Sequence, residues 1–255
     1  MIDETRVPQP GASRSPGGDG GLAERLRANR VSILSRVVAA ARRAGRDPGA
    51  VTLVAVTKSV GPEVTRALAT ATDARDLGEN RVAAALEKKG ALGDLVPPVR
   101  WHLIGHLQTN KAKKAVESFD VIHSVDSSRL AAAVDQAAAA SGRSSVDILI
   151  QVNVSGESTK SGFTPEALPD ALDGVLALPR LRALGLMTMA PLDADPEASR
   201  PHFRALREIA ERESRRRGLP PLALSMGMTQ DYEVAVEEGA THLRVGTALF
   251  EGVGG

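Results

Sequence analysis

One pattern restricts this chain more than any other. A short run that is apolar at nearly every position gives way to a Gly or polar turn and then to an Ala-rich helical stretch, and the cycle repeats eight times. The runs are 51–56, 74–77, 99–104, 120–123, 146–153, 181–187, 222–225 and 241–245. Helical stretches follow at 62–71, 80–89, 109–117, 127–141, 165–177, 196–217, 230–238 and 247–250. Runs without polar alternation imply strands buried on both faces, which is the signature of a parallel sheet. Eight such units between residues 50 and 250 point to a closed (β/α)8 TIM barrel. An open doubly wound sheet is the alternative.

No linker interrupts residues 50–250, so the expectation is a single α/β barrel domain over 21–255. An additional N-terminal helix is expected over 22–45, where Leu22, Leu26, Val31, Leu34 and Val37 fall at roughly helical spacing. Gly45 and Pro48 stop it. Residues 1–20 carry Pro8, Pro10, Pro16 and the Gly-rich stretch 17–21, and read as a disordered tail without the apolar segment of a signal peptide.

Composition excludes several functions. Lys plus Arg (32) balances Asp plus Glu (31), and there is one Trp and one Tyr, so neither charge nor stacking argues for nucleic acid. The absence of cysteine rules out disulfides and thiolate chemistry and suits a reducing cytoplasm. No apolar run approaches the roughly 20 residues needed to span a bilayer, so no membrane partner is expected. His106 and His123 lack metal-ligand spacing to any carboxylate cluster, so no metal is expected.

In a barrel of this kind, chemistry gathers where strands end and the βα loops begin. The unusual residues of this chain are placed there. The runs lead in order to Thr57-Lys58, to Gly78-Glu79-Asn80-Arg81, to His102 and the 105–111 loop, to His123-Ser124, to Asn153, to Met187-Thr188, to Ser225-Met226-Gly227 and to Arg244-Val245-Gly246-Thr247.

Lys58 closes a buried run, and two readings stand. The amine either snorkels into solvent or sits in a partly desolvated mouth, where burial lowers its pKa and frees the lone pair to form a Schiff base with an aldehyde. The loops after runs seven and eight form the recurring phosphate site of such barrels. Gly227 and Gly246 let backbone N–H groups approach an anion, Ser225 and Thr247 offer hydroxyl donors, and a helix start favours negative charge. Arg244 precedes Gly246 by two positions on the same face, where it meets either a ring nitrogen, the phosphate or a structural carboxylate. In a closed barrel, runs one, seven and eight are close together. An aldehyde carrying a phosphate arm fits them, and pyridoxal 5′-phosphate is such a molecule.

The segments AVTKSV (55–60), GENRV (78–82), WHLIGHLQTNKAK (101–113), HSVDS (123–127), QVNVSGESTKSGF (151–163), GLMTMAP (185–191) and LSMGMTQDYEVAVEEGATHLRVGTALF (224–250) occur in this order. Over about residues 22–250 the chain resembles the pyridoxal phosphate homeostasis proteins, relatives of the N-terminal barrel of bacterial alanine racemase. The resemblance implies that Lys58 carries the cofactor as an internal aldimine. It implies that Ser225, Gly227, Gly246 and Thr247 hold the phosphate, that Arg244 faces the pyridine nitrogen, and that Asn80 lies near the ring substituents. His102, Asn153 and Met187 would line the pocket. Thr229 stands where the family has Ser, which keeps the hydroxyl, and Glu251 separates Phe250 from Gly252 at a place where the family closes on Phe-Gly.

The same resemblance implies a cytoplasmic, monomeric cofactor carrier whose partners are pyridoxal phosphate and the apo-enzymes that receive it. A weak amino-acid racemase is the alternative. Two-base racemisation needs a proton donor on each ring face, and the racemase pattern takes the second from a tyrosine of a separate β-domain. Here the one tyrosine, Tyr232, is expected on the barrel exterior. A third reading, an aldolase-type barrel, also uses lysine and phosphate but predicts a colourless protein.

Overall fold

In a computed structural model, which describes residues 19–93, 98–157, 159–191, 193 and 195–253, the eight runs form a closed, all-parallel barrel in chain order. The strands are β1 (Thr52–Val56), β2 (Asp76–Glu79), β3 (Arg100–Leu103), β4 (Val121–Val125), β5 (Val146–Gln151), β6 (Leu181–Met187), β7 (Ala223–Ser225) and β8 (His242–Val245). β1 pairs with both β2 and β8, which closes the ring and decides against an open sheet.

The helices are α1 (Asp19–Arg43), α2 (Pro62–Ala71), α3 (Val82–Leu92), α4 (Ala112–Ser118), α5 (Ser128–Ala140), α6 (Leu168–Leu176), α7 (Arg200–Arg217) and α8 (Tyr232–Glu237). Their starts follow ordinary chemistry. Pro62 sits in the first turn of α2, where its missing N–H costs nothing, and the Ser127 hydroxyl accepts from Leu130 N to cap α5. Gly218 ends α7 in the left-handed conformation at φ 62°.

After β8 the chain makes only a four-residue 3₁₀ turn, Thr247–Phe250. α1 takes the remaining place in the outer ring, packed against α2, α8 and that turn. Its buried stripe is Leu26, Arg30, Ile33, Val37, Ala40 and Ala41, at 3.6-residue spacing. Val31, expected on that stripe, lies off its angle and is exposed. Asn29 Nδ2 donates to Leu249 O at 3.0 Å and to Glu251 O at 2.9 Å, and Arg30 Nε donates to Asp73 Oδ1 at 2.6 Å. The expected tail lies outside the described residues, apart from Asp19 and Gly20, which open α1.

The main core fills the space between barrel and helices, and a second small cluster of Val121, Leu149 and Met187 lies within the barrel. β2 differs from the apolar run by two residues, because the strand takes in Gly78 and Glu79. Glu79 is tolerated there because it is paired. Lys88 reaches inward from α3 to its carboxylate and donates to Thr57 O at 2.6 Å, and Thr57 Oγ1 donates to Glu79 Oε1 at 2.6 Å. All three side chains are buried.

Candidate functional site

The strand register sets the geometry of the mouth. Thr52 to Ala55 pair in order with His242 to Val245, so Val56 lies level with Gly246. A Cβ on Gly246 would meet Val56 O at 3.1 Å. Lys58 follows two residues beyond Val56, in the loop that leaves β1 at the same end of the barrel as the Gly246-Thr247 turn. It is exposed and makes no side-chain hydrogen bond or ion pair among the described residues. Thr57, the residue before it, is turned the other way and buried against Glu79 and Lys88, as strand alternation requires.

The seventh loop is shaped for close approach. Gly227 has φ 90°, and a Cβ there would lie 2.5 Å from that of Ala235. Only glycine fits such a backbone, and its carbonyl accepts from Arg244 N at 3.0 Å, which joins loop seven to β8. Gly105 does similar work on the other side, since a Cβ would lie 2.3 Å from Asn80 O. That contact presses the third loop onto the Asn80 backbone. Asn80 and Arg81 line a groove of about 530 Å³ with Leu86, His106, Lys111 and Lys114.

Beneath the mouth lies a tier of buried polar side chains. Arg244 Nη1 donates to Ser225 Oγ at 2.7 Å, and Nη2 donates to Thr188 O at 2.9 Å. Ser225 Oγ is 2.8 Å from His123 Nδ1, and His123 Nε2 is 2.9 Å from His102 Nδ1. His102 Nε2 is 2.9 Å from Asp76 Oδ1, at the start of β2. His242 stands against both rings, with centroids 6.4 Å from His102 and 5.9 Å from His123.

The electrostatics follow from burial. Burial does most to push the His123 imidazole well below its usual range, with the neighbouring His102, His242 and Arg244 acting in the same direction, so it is neutral. Burial does most to lower His242 to about 4, with further lowering from His102 and Arg100. Burial lowers Arg244 to about 10, opposed by Asp231, so it remains a cation at neutral pH.

The ten expected site residues thus fall into three groups. Lys58, Asn80, Gly246 and Thr247 are accessible at the rim, while Ser225, Gly227, Arg244, His102 and Met187 are buried below it. His102 lies within β3, with both ring nitrogens bonded inside the barrel, and Met187 ends β6 in the inner apolar cluster. Asn153 stands apart, because its side chain organises its own loop. It donates to Glu157 O at 2.8 Å and accepts from Ser155 Oγ and Gly156 N, both at 3.1 Å. Sequence reasoning placed His123 after β4, whereas it lies inside that strand. It gave no role to Asp76, Lys88 or His242. The acidic Asp76 inside the second run was the available signal for the first; nothing local marked Lys88 or His242.

Among the described residues no helix is long and apolar enough to cross a membrane, and no cluster of three or more His or acidic residues could hold a metal ion.

Residues 31–252 match the family described as alanine racemase, N-terminal domain. The chain is 44% identical over 218 residues to the pyridoxal phosphate homeostasis protein of Aquifex aeolicus, covering 86% of this chain and 94% of that protein. It is 42% identical over 222 residues to the protein of the same name from Pseudomonas aeruginosa, covering 87% and 93%. Among solved structures, PipY of Synechococcus elongatus with pyridoxal phosphate bound is 38% identical with a TM-score of 0.76, over 90% of this chain and 99% of that one. The alanine racemase of Clostridium difficile shares the fold at 14% identity, with a TM-score of 0.68.

Proposed function

The chain belongs to the alanine racemase N-terminal domain family and, within it, to the pyridoxal phosphate homeostasis proteins; from that premise we propose that it binds pyridoxal 5′-phosphate on Lys58 and serves as an intracellular carrier of the cofactor rather than as a catalyst. The observation that supports this reading is the β1–β8 register, which brings Val56, two residues before the exposed Lys58, level with Gly246, with the buried Arg244 cation two residues below on β8.

The donor set suits the cofactor. Gly227, Gly246 and Thr247 offer a close-approaching backbone and a hydroxyl to a phosphate, and Arg244 offers N–H donors to a pyridine nitrogen. When bound, the cofactor supplies an aldehyde. The Lys58 amine would add to the carbonyl carbon, with a C=N bond replacing C=O and water leaving, to give the internal aldimine.

Two features favour a carrier. A ring nitrogen that only accepts from arginine makes a poor electron sink, whereas an acid partner would strengthen it. Tyr232 opens α8 with its ring buried against α1, the Arg36 guanidinium 5.4 Å from the ring centre, so the ring is engaged by the outer helix. A cytoplasmic monomer that passes the cofactor to apo-enzymes is part of the same proposal.

The test is direct. Protein loaded with pyridoxal phosphate should be yellow, should bleach with borohydride, and should carry the reduced label on Lys58 in a peptide map. Label on another lysine, or none, overturns the reading. Loss of optical activity from a small L-amino acid that disappears in Lys58→Ala would establish the racemase instead.

A further inference from the structure

The polar chain beneath the mouth has a direction, fixed by its two ends. Arginine can only donate hydrogen bonds, and an ionised carboxylate can only accept them. Burial raises Asp76, but hydrogen bonds from His102 and Arg100 outweigh it and hold the carboxyl below its usual value, so it is ionised. His102 Nε2 must then carry the hydrogen that reaches Asp76 Oδ1 at 2.9 Å. From the other end, the Ser225 hydroxyl has two partners and Arg244 can only donate to it, so the hydroxyl hydrogen goes to His123 Nδ1, and His123, neutral by burial, donates from Nε2 to His102 Nδ1 across 2.9 Å. The remaining His123 nitrogen, Nδ1, accepts in turn, and its partner at 2.8 Å is the Ser225 hydroxyl. Ser225 Oγ, its hydrogen donated towards His123, accepts a hydrogen bond from Arg244 Nη1 at 2.7 Å. Every partner has one role, and none is left over.

We propose that Asp76, His102 and His123 are positioning residues for the floor of the site: a one-way chain of donation from Arg244 through Ser225, His123 and His102 to Asp76 locks the guanidinium in place and turns the Ser225 hydroxyl proton away from the mouth. The inference deepens the reading above and rests on it for its cofactor arm alone. It has a consequence for phosphate recognition. With its proton spent inward, Ser225 meets an anion through the backbone of its loop, which is the part shaped by Gly227. It also separates two jobs along the barrel axis, since Asp76 acts on the cofactor site from the start of β2, bonded to the solvent-exposed Arg100 at 2.7 Å.

The experiment begins with ligand-free protein carrying ¹⁵N-histidine. Long-range ¹H–¹⁵N correlation reads the tautomer of each ring, and substitution of the five histidines one at a time assigns the signals. Both His102 and His123 should show Nε2–H with an unprotonated Nδ1. Asp76→Asn keeps a carbonyl acceptor and should preserve both patterns. Asp76→Ala should release His102 and, through it, His123 into mixed tautomers. Arg100→Ala, which removes the neighbouring ion pair but leaves the chain intact, should change neither. In protein loaded with pyridoxal phosphate, Asp76→Ala should shift the visible absorption band and Asp76→Asn should restore it. An Nδ1–H or doubly protonated ring at either histidine in the wild type overturns the proposal. So does an Asp76→Ala protein with unchanged tautomers and band. Should Asp76→Ala not fold, the wild-type, Asp76→Asn and Arg100→Ala patterns decide on their own. Failure to label Lys58 would count against the carrier reading and leave the tautomer result standing.

Discussion

The Lys88 ammonium holds Lys58 in place indirectly, and removing it should show how much. It bridges the Glu79 carboxylate and Thr57 O, which is the carbonyl of the Thr57–Lys58 peptide. Lys88 is 5% exposed and Glu79 is fully buried. In Lys88→Met the stem length is kept and the charge is lost, which leaves a buried carboxylate with the Thr57 hydroxyl as its remaining donor. Breaking a buried pair from one side costs about 3–5 kcal/mol. For a domain of this size each kcal/mol moves the midpoint by roughly 2–4 °C, so the melting temperature should fall by about 10 °C. The paired change Glu79→Leu with Lys88→Met removes both charges and should recover most of that loss, because the penalty comes from the uncompensated partner. Calorimetry on ligand-free protein measures all three. A fall of under about 2 °C in Lys88→Met, or a double variant no more stable than the single one, would refute the reasoning. A second readout isolates the site. With the Thr57 carbonyl released, Lys88→Met should bind pyridoxal phosphate more weakly even at temperatures where it remains folded.

Two further perturbations test other parts of the structure. His242 is lowered from its usual 6.5 to about 4, so the unfolded chain takes up a proton between those values while the folded one does not. Stability present above pH 6.5 should therefore be lost as pH falls towards 4, by up to about 3 kcal/mol. His242→Gln should flatten a plot of melting temperature against pH between 7 and 5, and an unchanged slope would count against the assignment. Gly227→Ala places a Cβ 2.5 Å from that of Ala235 on a backbone at φ 90°. It should destabilise the protein by about 1–3 kcal/mol and weaken phosphate-dependent binding, both measured by thermal shift with and without pyridoxal phosphate.

Legibility in the sequence follows the kind of force at work. All eight strands were readable because burial on both faces leaves a mostly apolar run, although polar residues such as Glu79, His102 and Arg244 lie inside β2, β3 and β8, and periodicity marked α1 from Leu26 to Val37. Depth along the barrel axis was not readable. His102 and His123 look like residues after strands because polarity usually marks a strand's end, yet the three-dimensional register hides them inside β3 and β4 with partners 102 residues away in the case of His123 and Ser225. Lys88 looks like a solvated lysine of an Ala-rich helix, since nothing local reveals that α3 turns it towards Glu79. Asn153 was placed on the correct loop, but a side chain that bonds its own loop cannot be told from one that waits for a ligand. Short-range chemistry identifies candidates, whereas pairing across strands decides what each has left to offer.

The position of α1 ties the beginning of the described chain to its end. α1 packs on α2, its neighbour in sequence, but also on α8 and the closing 3₁₀ turn, so its stripe is fully covered only when the last βα unit is in place. The ring is completed at the seam between β1 and β8, where Val56, two residues before Lys58, lies level with Gly246. Under the proposed function the two halves of the site, Lys58 after β1 and the Gly246-Thr247 turn after β8, come together only in the step that closes the barrel.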